Sequence, residues 1–156
     1  MNKYVKETHV IMHELILPND TNNLDTVFGG KVMQYMDLCA AMSAYKFART
    51  AVVTASVDRL DFLAPARVGD MLILKSSVNY SHNSSMEIGV RIDAENVKTG
   101  KTRHTATAYL TFVSLDESGK PLAVNNIIPE TEVEIKRFKE GEVRHKQRVE
   151  RIKGRR

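Results

Sequence analysis

A polar loop and the start of a long apolar segment carry the residues best suited to chemistry. Gly29 and Gly30 stand where the loop gives way to a helix-like run. A helix N-terminus presents unpaired backbone N–H groups and a partial positive charge. Because glycine has no side chain, another molecule can approach those amides, so the segment is suited to a phosphate or to the oxyanion of acyl transfer. The same pair would also serve a plain bend between loop and helix.

Asp37 lies seven positions after Gly30, close to two helical turns, and therefore on about the same face of the predicted helix. A carboxylate among apolar side chains is costly to bury unless it is hydrogen-bonded or takes part in a reaction. Two roles stay open: Asp37 accepts hydrogen bonds from a neighbouring loop, or it acts as a general base or nucleophile. Asn22, in the loop before the glycines, offers a neutral amide suited to orienting a water or a carbonyl group.

Other sequence patterns of catalytic sites are absent. The five histidines form no HExxH motif and have no cysteine partners. His9 and His13 are four positions apart, but in a predicted strand they would reach different depths, so the sequence predicts no metal site. No GxSxG elbow, Walker loop or dinucleotide fingerprint occurs. The single cysteine, Cys39, has no base placed beside it, and we interpret it as a packing residue.

Secondary-structure patterns predict an α+β domain that would position these residues. Residues 30–48 are apolar or small on nearly every side, which predicts a buried helix of about five turns. Apolar alternation and turn residues predict strands before and after it, at residues 4–17, 52–63, 70–80, 86–97 and 101–115. One sheet cannot cover a helix that is apolar all round, so a second copy of the chain is the expected cover.

A final helix is predicted from Pro129, which divides the chain into a main domain (residues 1–128) and a basic tail (residues 129–156). Residues 136–156 hold ten Lys or Arg and three Glu, whereas the rest of the chain has 13 basic and 16 acidic groups. Glu140–Arg144 and Glu142–Lys146 have the i,i+4 spacing that stabilises exposed helices. The charges lack the repeated pattern of interleaved aromatic residues that favours nucleic-acid binding, so we expect a solvated helix and no nucleic-acid binding.

The composition fits one domain in a reducing compartment. With 156 residues, 42% of them hydrophobic, the chain can bury a core. No run approaches the roughly 18 consecutive apolar residues of a membrane span. Charges and histidines interrupt the apolar positions of residues 1–18, unlike a secretory signal. One cysteine excludes an internal disulfide. The sequence therefore predicts a cytoplasmic protein with no membrane partner.

Several separated motifs together resemble the hotdog-fold acyl-CoA thioesterases, in particular the cytosolic acyl-CoA hydrolases. They are LPNDTNN, VFGGKVMQYMD, VVTASVDRLDFLAPARVGD, NSSMEIGV, TATAYLTFVSLD and IIPETEVE, in the family's order and with similar spacing. The likeness runs from about residue 17 to about residue 151. It implies an α+β hotdog fold, a long central helix wrapped by an antiparallel sheet of about five strands, here followed by a C-terminal helix.

The resemblance also implies an activity and roles for the residues above. It implies hydrolysis of acyl-CoA thioesters to free fatty acid and coenzyme A, with no cofactor. Asp37 would be the catalytic acid, Asn22 from the other subunit its partner, and the amides around Gly29 and Gly30 would polarise the thioester carbonyl. Many relatives have a histidine where this chain has Phe28. The expected assembly is a dimer, built further into a trimer of dimers.

Residues for binding the substrate and its coenzyme A portion are expected on and near residues 53–62, which should lie along the substrate groove. The candidates are Thr54, Ser56, Arg59, His82, Ser84 and Arg91. Two alternatives stay open: a hotdog protein that binds acyl-CoA without hydrolysing it, and a module that binds nucleic acid or an anionic surface through its tail. The sequence leaves open the preferred acyl chain length and whether Asp37 is base or nucleophile.

Overall fold

The computed structural model describes residues 2–155 and confirms the predicted α+β architecture. Two helices, α1 (Gly29–Ala48) and α2 (Glu132–Lys153), accompany seven strands. The strands are β1 (Lys3–Tyr4), β2 (Val10–Leu15), β3 (Ala51–Phe62), β4 (Asp70–His82), β5 (Ser85–Asn96), β6 (Thr102–Leu115) and β7 (Ile127–Ile128). The predicted bounds of α1 and of the four long strands after it lie within two residues of these.

The main sheet has five antiparallel strands in the order β2-β4-β5-β6-β3, and α1 packs on one face of it. Alternate residues of β5 and β6 point into the core, as the sequence pattern predicts. They are Met86, Ile88, Val90 and Ile92 from β5, and Ala106, Ala108, Leu110 and Phe112 from β6. We call this the inner face and the opposite side the outer face. Because β3 lies at the edge of the sheet, one side of its backbone has no partner strand among residues 2–155.

The N-terminal segment differs from the single strand predicted at residues 4–17. A 3₁₀ turn at Val5–Thr8 interrupts it and divides it into β1 and β2. β1 pairs in parallel with β7 in a small separate sheet, so the chain must turn before it joins the main sheet. The turn is held by Thr8, whose hydroxyl donates to the Val5 carbonyl and accepts from the Val78 amide.

The C-terminal helix lies at the surface as expected, but it is not free in solvent, because α2 is anchored to the outer face of the sheet. Glu87 on β5 is almost fully buried and receives a two-pronged contact from Arg144, with Nε–Oε1 at 2.5 Å and Nη2–Oε2 at 3.0 Å. Gly141 permits this approach, since a Cβ there would lie 2.8 Å from the Glu87 carboxylate. Arg144 therefore pairs with the sheet instead of Glu140, whereas the predicted Glu142–Lys146 pair is present.

α2 begins three residues after the Pro129 start that the sequence suggests. Thr131 is the N-cap: its hydroxyl accepts from the Glu134 amide, and the Glu134 carboxylate accepts from the Thr131 amide. This reciprocal capping box satisfies backbone donors at the helix start.

Only one side of α1 is buried within the chain. Its core side comprises Val32, Met36, Cys39, Ala40, Ser43, Ala44 and Phe47. Its other side exposes large apolar residues, namely Met33, Leu38, Met42 and Tyr45, each at least 40% accessible. The helix is thus apolar on two sides but covered on one. In residues 2–155, neither helix is long and apolar enough to cross a membrane.

Candidate active site

Asp37 and Thr54 form the hydrogen-bonded centre of the candidate site. Asp37 projects from the exposed side of α1, and the Thr54 hydroxyl on β3 donates to its Oδ1 at 2.6 Å. The second carboxylate oxygen is left for another partner. A pocket of about 330 Å³ surrounds the pair, with an otherwise mostly apolar lining of Met33, Gln34, Met36, Val57, Ala108 and Leu110. The arrangement suits an apolar chain that ends beside a carboxylate.

The exposure of Asp37 differs from the sequence interpretation, which places this acid among buried side chains. In one chain, Asp37 is exposed, because it lies on the side of α1 that faces away from the sheet. The sequence pattern shows that this side is apolar. The cover expected from the sequence is a second copy of the chain, so a single chain leaves Asp37 accessible.

The start of α1 presents the amides of the glycine pair. Phe28 is the N-cap and gives no side-chain hydrogen bond. The backbone carbonyl of Phe28 accepts from the amides of Lys31 and Val32. Gly29 and Gly30 are both exposed, and Gly29 borders a mostly apolar pocket of about 360 Å³. An oxygen that carries negative charge would be stabilised by these two amides and by the helix dipole.

Asn22 is fixed by its own loop. Its Oδ1 accepts from the Leu24 amide at 2.8 Å and from the Thr26 hydroxyl at 3.1 Å, and its backbone amide donates to the Thr26 carbonyl. With its oxygen occupied, Asn22 can offer a ligand its Nδ2 donor. Within residues 2–155 of one chain, no hydrogen bond joins Asn22 to Asp37.

The other candidates on β3 are oriented differently from Thr54. The Ser56 hydroxyl donates to Asp58 at 2.8 Å, and the Arg59 guanidinium pairs with Asp61 at 2.7 Å. Both lie on the edge strand next to Thr54, but neither lines the Asp37 pocket.

His82 and Ser84 lie at the tight turn between β4 and β5. The His82 ring is 4.5 Å from the ring of His145 on α2, between centroids. Burial, together with the nearby Arg148 and His82, lowers the pKa of His145. Ser84 accepts the Ser114 amide through its backbone carbonyl. Neither residue lines the pocket at Asp37.

Arg91 lies on the outer face, across the sheet from the Asp37 pocket, and pairs with Asp93 at 3.2 Å. It borders a cavity of about 450 Å³ together with three other basic side chains, His9, Lys75 and Arg137. Lys75 stands directly opposite Arg91 on the neighbouring strand. Sequence reasoning missed Lys75 and Arg137. Only the strand register connects Lys75 to Arg91, and only the packing of α2 on the sheet brings Arg137 to the same cavity.

Cys39 lies on the buried side of α1, and its thiol donates to the Ser76 hydroxyl at 3.3 Å. Burial raises the pKa of the thiol, although the hydrogen bond to Ser76 opposes that shift. A thiol held neutral in the core is a poor nucleophile. The interpretation of Cys39 as a packing residue is confirmed.

These features define a thioesterase-type hotdog protein, and comparison with known proteins places it in a family. The family described as the thioesterase superfamily matches residues 24–101, and the chain belongs to it. The relatives include the uncharacterized acyl-CoA thioester hydrolase YkhA of Bacillus subtilis, 44% identical over 85% of this chain and 77% of that protein. The rat cytosolic acyl coenzyme A thioester hydrolase is 40% identical over 85% of this chain and 35% of its own, longer length.

Solved structures agree with this assignment. An apo-hexameric acyl-CoA thioesterase has a TM-score of 0.93 and 42% identity, covering 97% of each chain. An acyl-CoA hydrolase from Staphylococcus aureus, in complex with butyryl coenzyme A and coenzyme A, has a TM-score of 0.92 and 38% identity, covering 99% of this chain and 95% of that one.

Three further structures are of single-substitution variants of the Staphylococcus aureus enzyme, in which alanine replaces an aspartate, an asparagine or a threonine. There the asparagine precedes the aspartate by 15 positions, and the threonine follows it by 17. Asn22, Asp37 and Thr54 have the same spacing in this chain.

Proposed function

We propose that this protein hydrolyses acyl-CoA thioesters to a free fatty acid and coenzyme A. The single observation that carries the proposal is the Asp37 carboxylate, held by Thr54 at the mouth of an apolar pocket, on a helix that starts with exposed glycine amides. A protein that only binds acyl-CoA has no need of a carboxylate there. The names of the relatives and the shared spacing of Asn22, Asp37 and Thr54 support it.

The reaction breaks the thioester C–S bond and forms a C–O bond with water. The amides of Gly29 and Gly30 polarise the carbonyl and stabilise the oxyanion that develops on it. Asp37 either removes a proton from the attacking water or attacks the carbonyl itself to form an anhydride that water then hydrolyses. In both routes the thiolate of coenzyme A leaves and takes a proton. No metal or prosthetic group is used, and coenzyme A enters as part of the substrate.

Asn22 completes the site from a second subunit. Its Nδ2 donor orients the water or the thioester carbonyl beside the partner's Asp37. Two uncovered surfaces support this homo-oligomer: the apolar side of α1 and the unpaired edge of β3, where Val53 and Val57 are exposed. We propose a dimer that assembles further into a trimer of dimers, which light scattering would test. An active monomer would exclude the shared site.

The coenzyme A portion of the substrate is bound by the edge strand and by basic side chains. Arg59 lies on the edge strand β3, and His82 and Ser84 offer polar groups at the β4–β5 turn. Since Arg91 lies on the outer face, any phosphate that it binds belongs to a substrate held by a neighbouring subunit. We propose a cytoplasmic location, which the name of the rat relative supports.

A thiol-release assay tests the proposal. Acyl-CoA substrates of increasing chain length are incubated with the protein, and free thiol is measured against a blank without protein. We expect one thiol per carboxylic acid formed, with a preferred chain length. Tight binding of acyl-CoA without thiol release would make the protein a non-hydrolytic acyl-CoA-binding member of the fold.

Removing the Thr54 hydroxyl tests how Asp37 is held. Thr54→Val keeps the branched shape but deletes the hydrogen bond to Asp37, and such a bond to a charged group is worth about 1.5–3 kcal/mol. We expect kcat to fall about tenfold or more, with KM little changed. Thr50→Val is the matched control, since the Thr50 hydroxyl contacts Ser114 instead. A raised KM with normal kcat would assign Thr54 to substrate binding.

A further inference from the structure

The strand that carries Thr54 is irregular beside the candidate site. β3 pairs with β6, but the register shifts between Thr54 and Ser56 and again between Val57 and Arg59. Extra residues of this kind bend a strand and change the direction of nearby side chains. Here they surround the stretch that presents Thr54 and Val57 to the Asp37 pocket. The geometry of the site therefore depends on what holds this bulged stretch.

Asp58 lies at the second shift, and its side chain is only 6% exposed. One carboxylate oxygen accepts the Ser56 hydroxyl at 2.8 Å, and the other accepts the Thr111 hydroxyl of β6 at 2.6 Å. Asp58 thus makes one hydrogen bond within the bulged stretch of β3, to Ser56, and one to the neighbouring strand β6, to Thr111. A carboxylate so deeply buried also needs a cation nearby.

The cation comes from α2. Arg148 Nη1 donates to the Thr111 hydroxyl at 2.5 Å and lies 3.5 Å from Asp58 Oδ2, with its side chain 11% exposed. Arg151 approaches the other oxygen at 3.9 Å. A relay of contacts therefore runs from Arg148 through Thr111 and Asp58 to Ser56, and β3 continues it to Thr54 and Asp37.

We infer that Asp58, together with Arg148, is a positioning residue that holds the bulged part of β3 so that Thr54 fixes the Asp37 carboxylate. The C-terminal helix then contributes to turnover without touching substrate. This inference rests on the proposed thioesterase activity. It also assigns the Ser56 hydroxyl to the relay, whereas the sequence suggests that Ser56 binds substrate.

The matched control is the second buried acid that binds an arginine of α2. Glu87 pairs with Arg144, and its side chain is 4% exposed, but it lies on β5, and its carboxylate accepts from Asn79 and Arg144 and from no residue of β3. Loss of either acid should loosen α2. Only Asp58→Asn should disturb Thr54.

Kinetics and stability are compared for Asp58→Asn, Glu87→Gln and wild type. Both variants should lower the Tm. In Asp58→Asn, kcat should fall roughly tenfold to 100-fold with KM little changed, since a misplacement of about 1 Å can cost about 100-fold. In Glu87→Gln, kcat should stay at the wild-type value. A folded Asp58→Asn protein with normal kcat would overturn the inference.

Two further variants separate positioning from other roles. If Asp58 acts through Thr54, Asp58→Asn should lower kcat little further in a Thr54→Val background, whereas additive losses would contradict the relay.

Ser56→Ala, a mild change, should lower kcat. A raised KM with normal kcat would return Ser56 to substrate binding and break the relay at that residue.

Hydrogen exchange separates failure of this inference from failure of the proposed function. Thiol release by the wild-type protein tests the function alone. Faster amide exchange at residues 53–58 in Asp58→Asn, and not in Glu87→Gln, tests whether Asp58 holds β3 even if no acyl-CoA is hydrolysed. Equal exchange in the two variants would overturn the positioning role.

Discussion

Replacing Asp37 by asparagine should lower turnover by about 100-fold or more, the range expected when a general base is lost. Asparagine keeps the size of the side chain and can still accept the Thr54 hydroxyl at Oδ1. It lacks the charged second oxygen that would activate water or attack the carbonyl. Binding of coenzyme A should hardly change, because none of the charged side chains proposed for its phosphates lines the Asp37 pocket.

Steady-state thiol release measures the turnover of Asp37→Asn, and calorimetry measures its affinity for coenzyme A. Asp116→Asn is a suitable control, since Asp116 accepts hydrogen bonds within an exposed turn between β6 and β7. Full activity in Asp37→Asn would exclude the mechanism, whereas lost activity together with lost coenzyme A binding would indicate a damaged pocket.

Mixing two inactive variants should restore turnover if each site takes Asn22 from one subunit and Asp37 from the other. Asn22→Ala removes the Nδ2 donor, and Asp37→Asn removes the carboxylate. An equal mixture that exchanges subunits freely should reach about a quarter of wild-type activity, because half of the dimers are mixed and each holds one complete site of two.

The measurement needs proof that subunits exchange, for example by native mass spectrometry of one labelled variant. Mixing the same variants without exchange is the baseline and should stay inactive. Demonstrated exchange without recovery of activity would contradict the shared site and place Asn22 and Asp37 in one subunit's site.

Local patterns in the sequence were sufficient to predict the main elements of the fold. The alternation of residues 86–97 and 101–115 identifies two core strands, because burial on one face follows directly from a period of two. The run of residues 30–48 identifies α1 for a similar reason. β1 and β7 were missed because two residues per strand give no periodic signal, and their pairing joins opposite ends of the chain.

The ion-pair partner of Arg144 in the C-terminal helix was predicted wrongly, because the true partner is distant in sequence. Arg144 meets Glu87 57 positions away, whereas i,i+4 spacing suggested Glu140. A basic helix over buried acids has the same composition as a solvated one. Asp37 and Thr54 were both identified from the sequence, although their hydrogen bond to each other was not. The catalytic roles given to Asp37, Asn22, Gly29 and Gly30 stay predictions. The side of the sheet on which Arg91 lies depends on strand register, which a list of basic residues does not contain.

Arg144 and Arg148, the α2 arginines that lie nearest to the two buried acids, are four positions apart, about one helical turn. An apolar stripe would let a helix slide or roll over a sheet at little cost, because dispersion contacts have no direction. Two guanidinium contacts at separate points instead define both the place of the helix along the strands and its angle across them. With Glu87 neutralised, we expect α2 to stay fixed at its Asp58 end and to lose its definition at the other; with Asp58 neutralised, we expect the reverse.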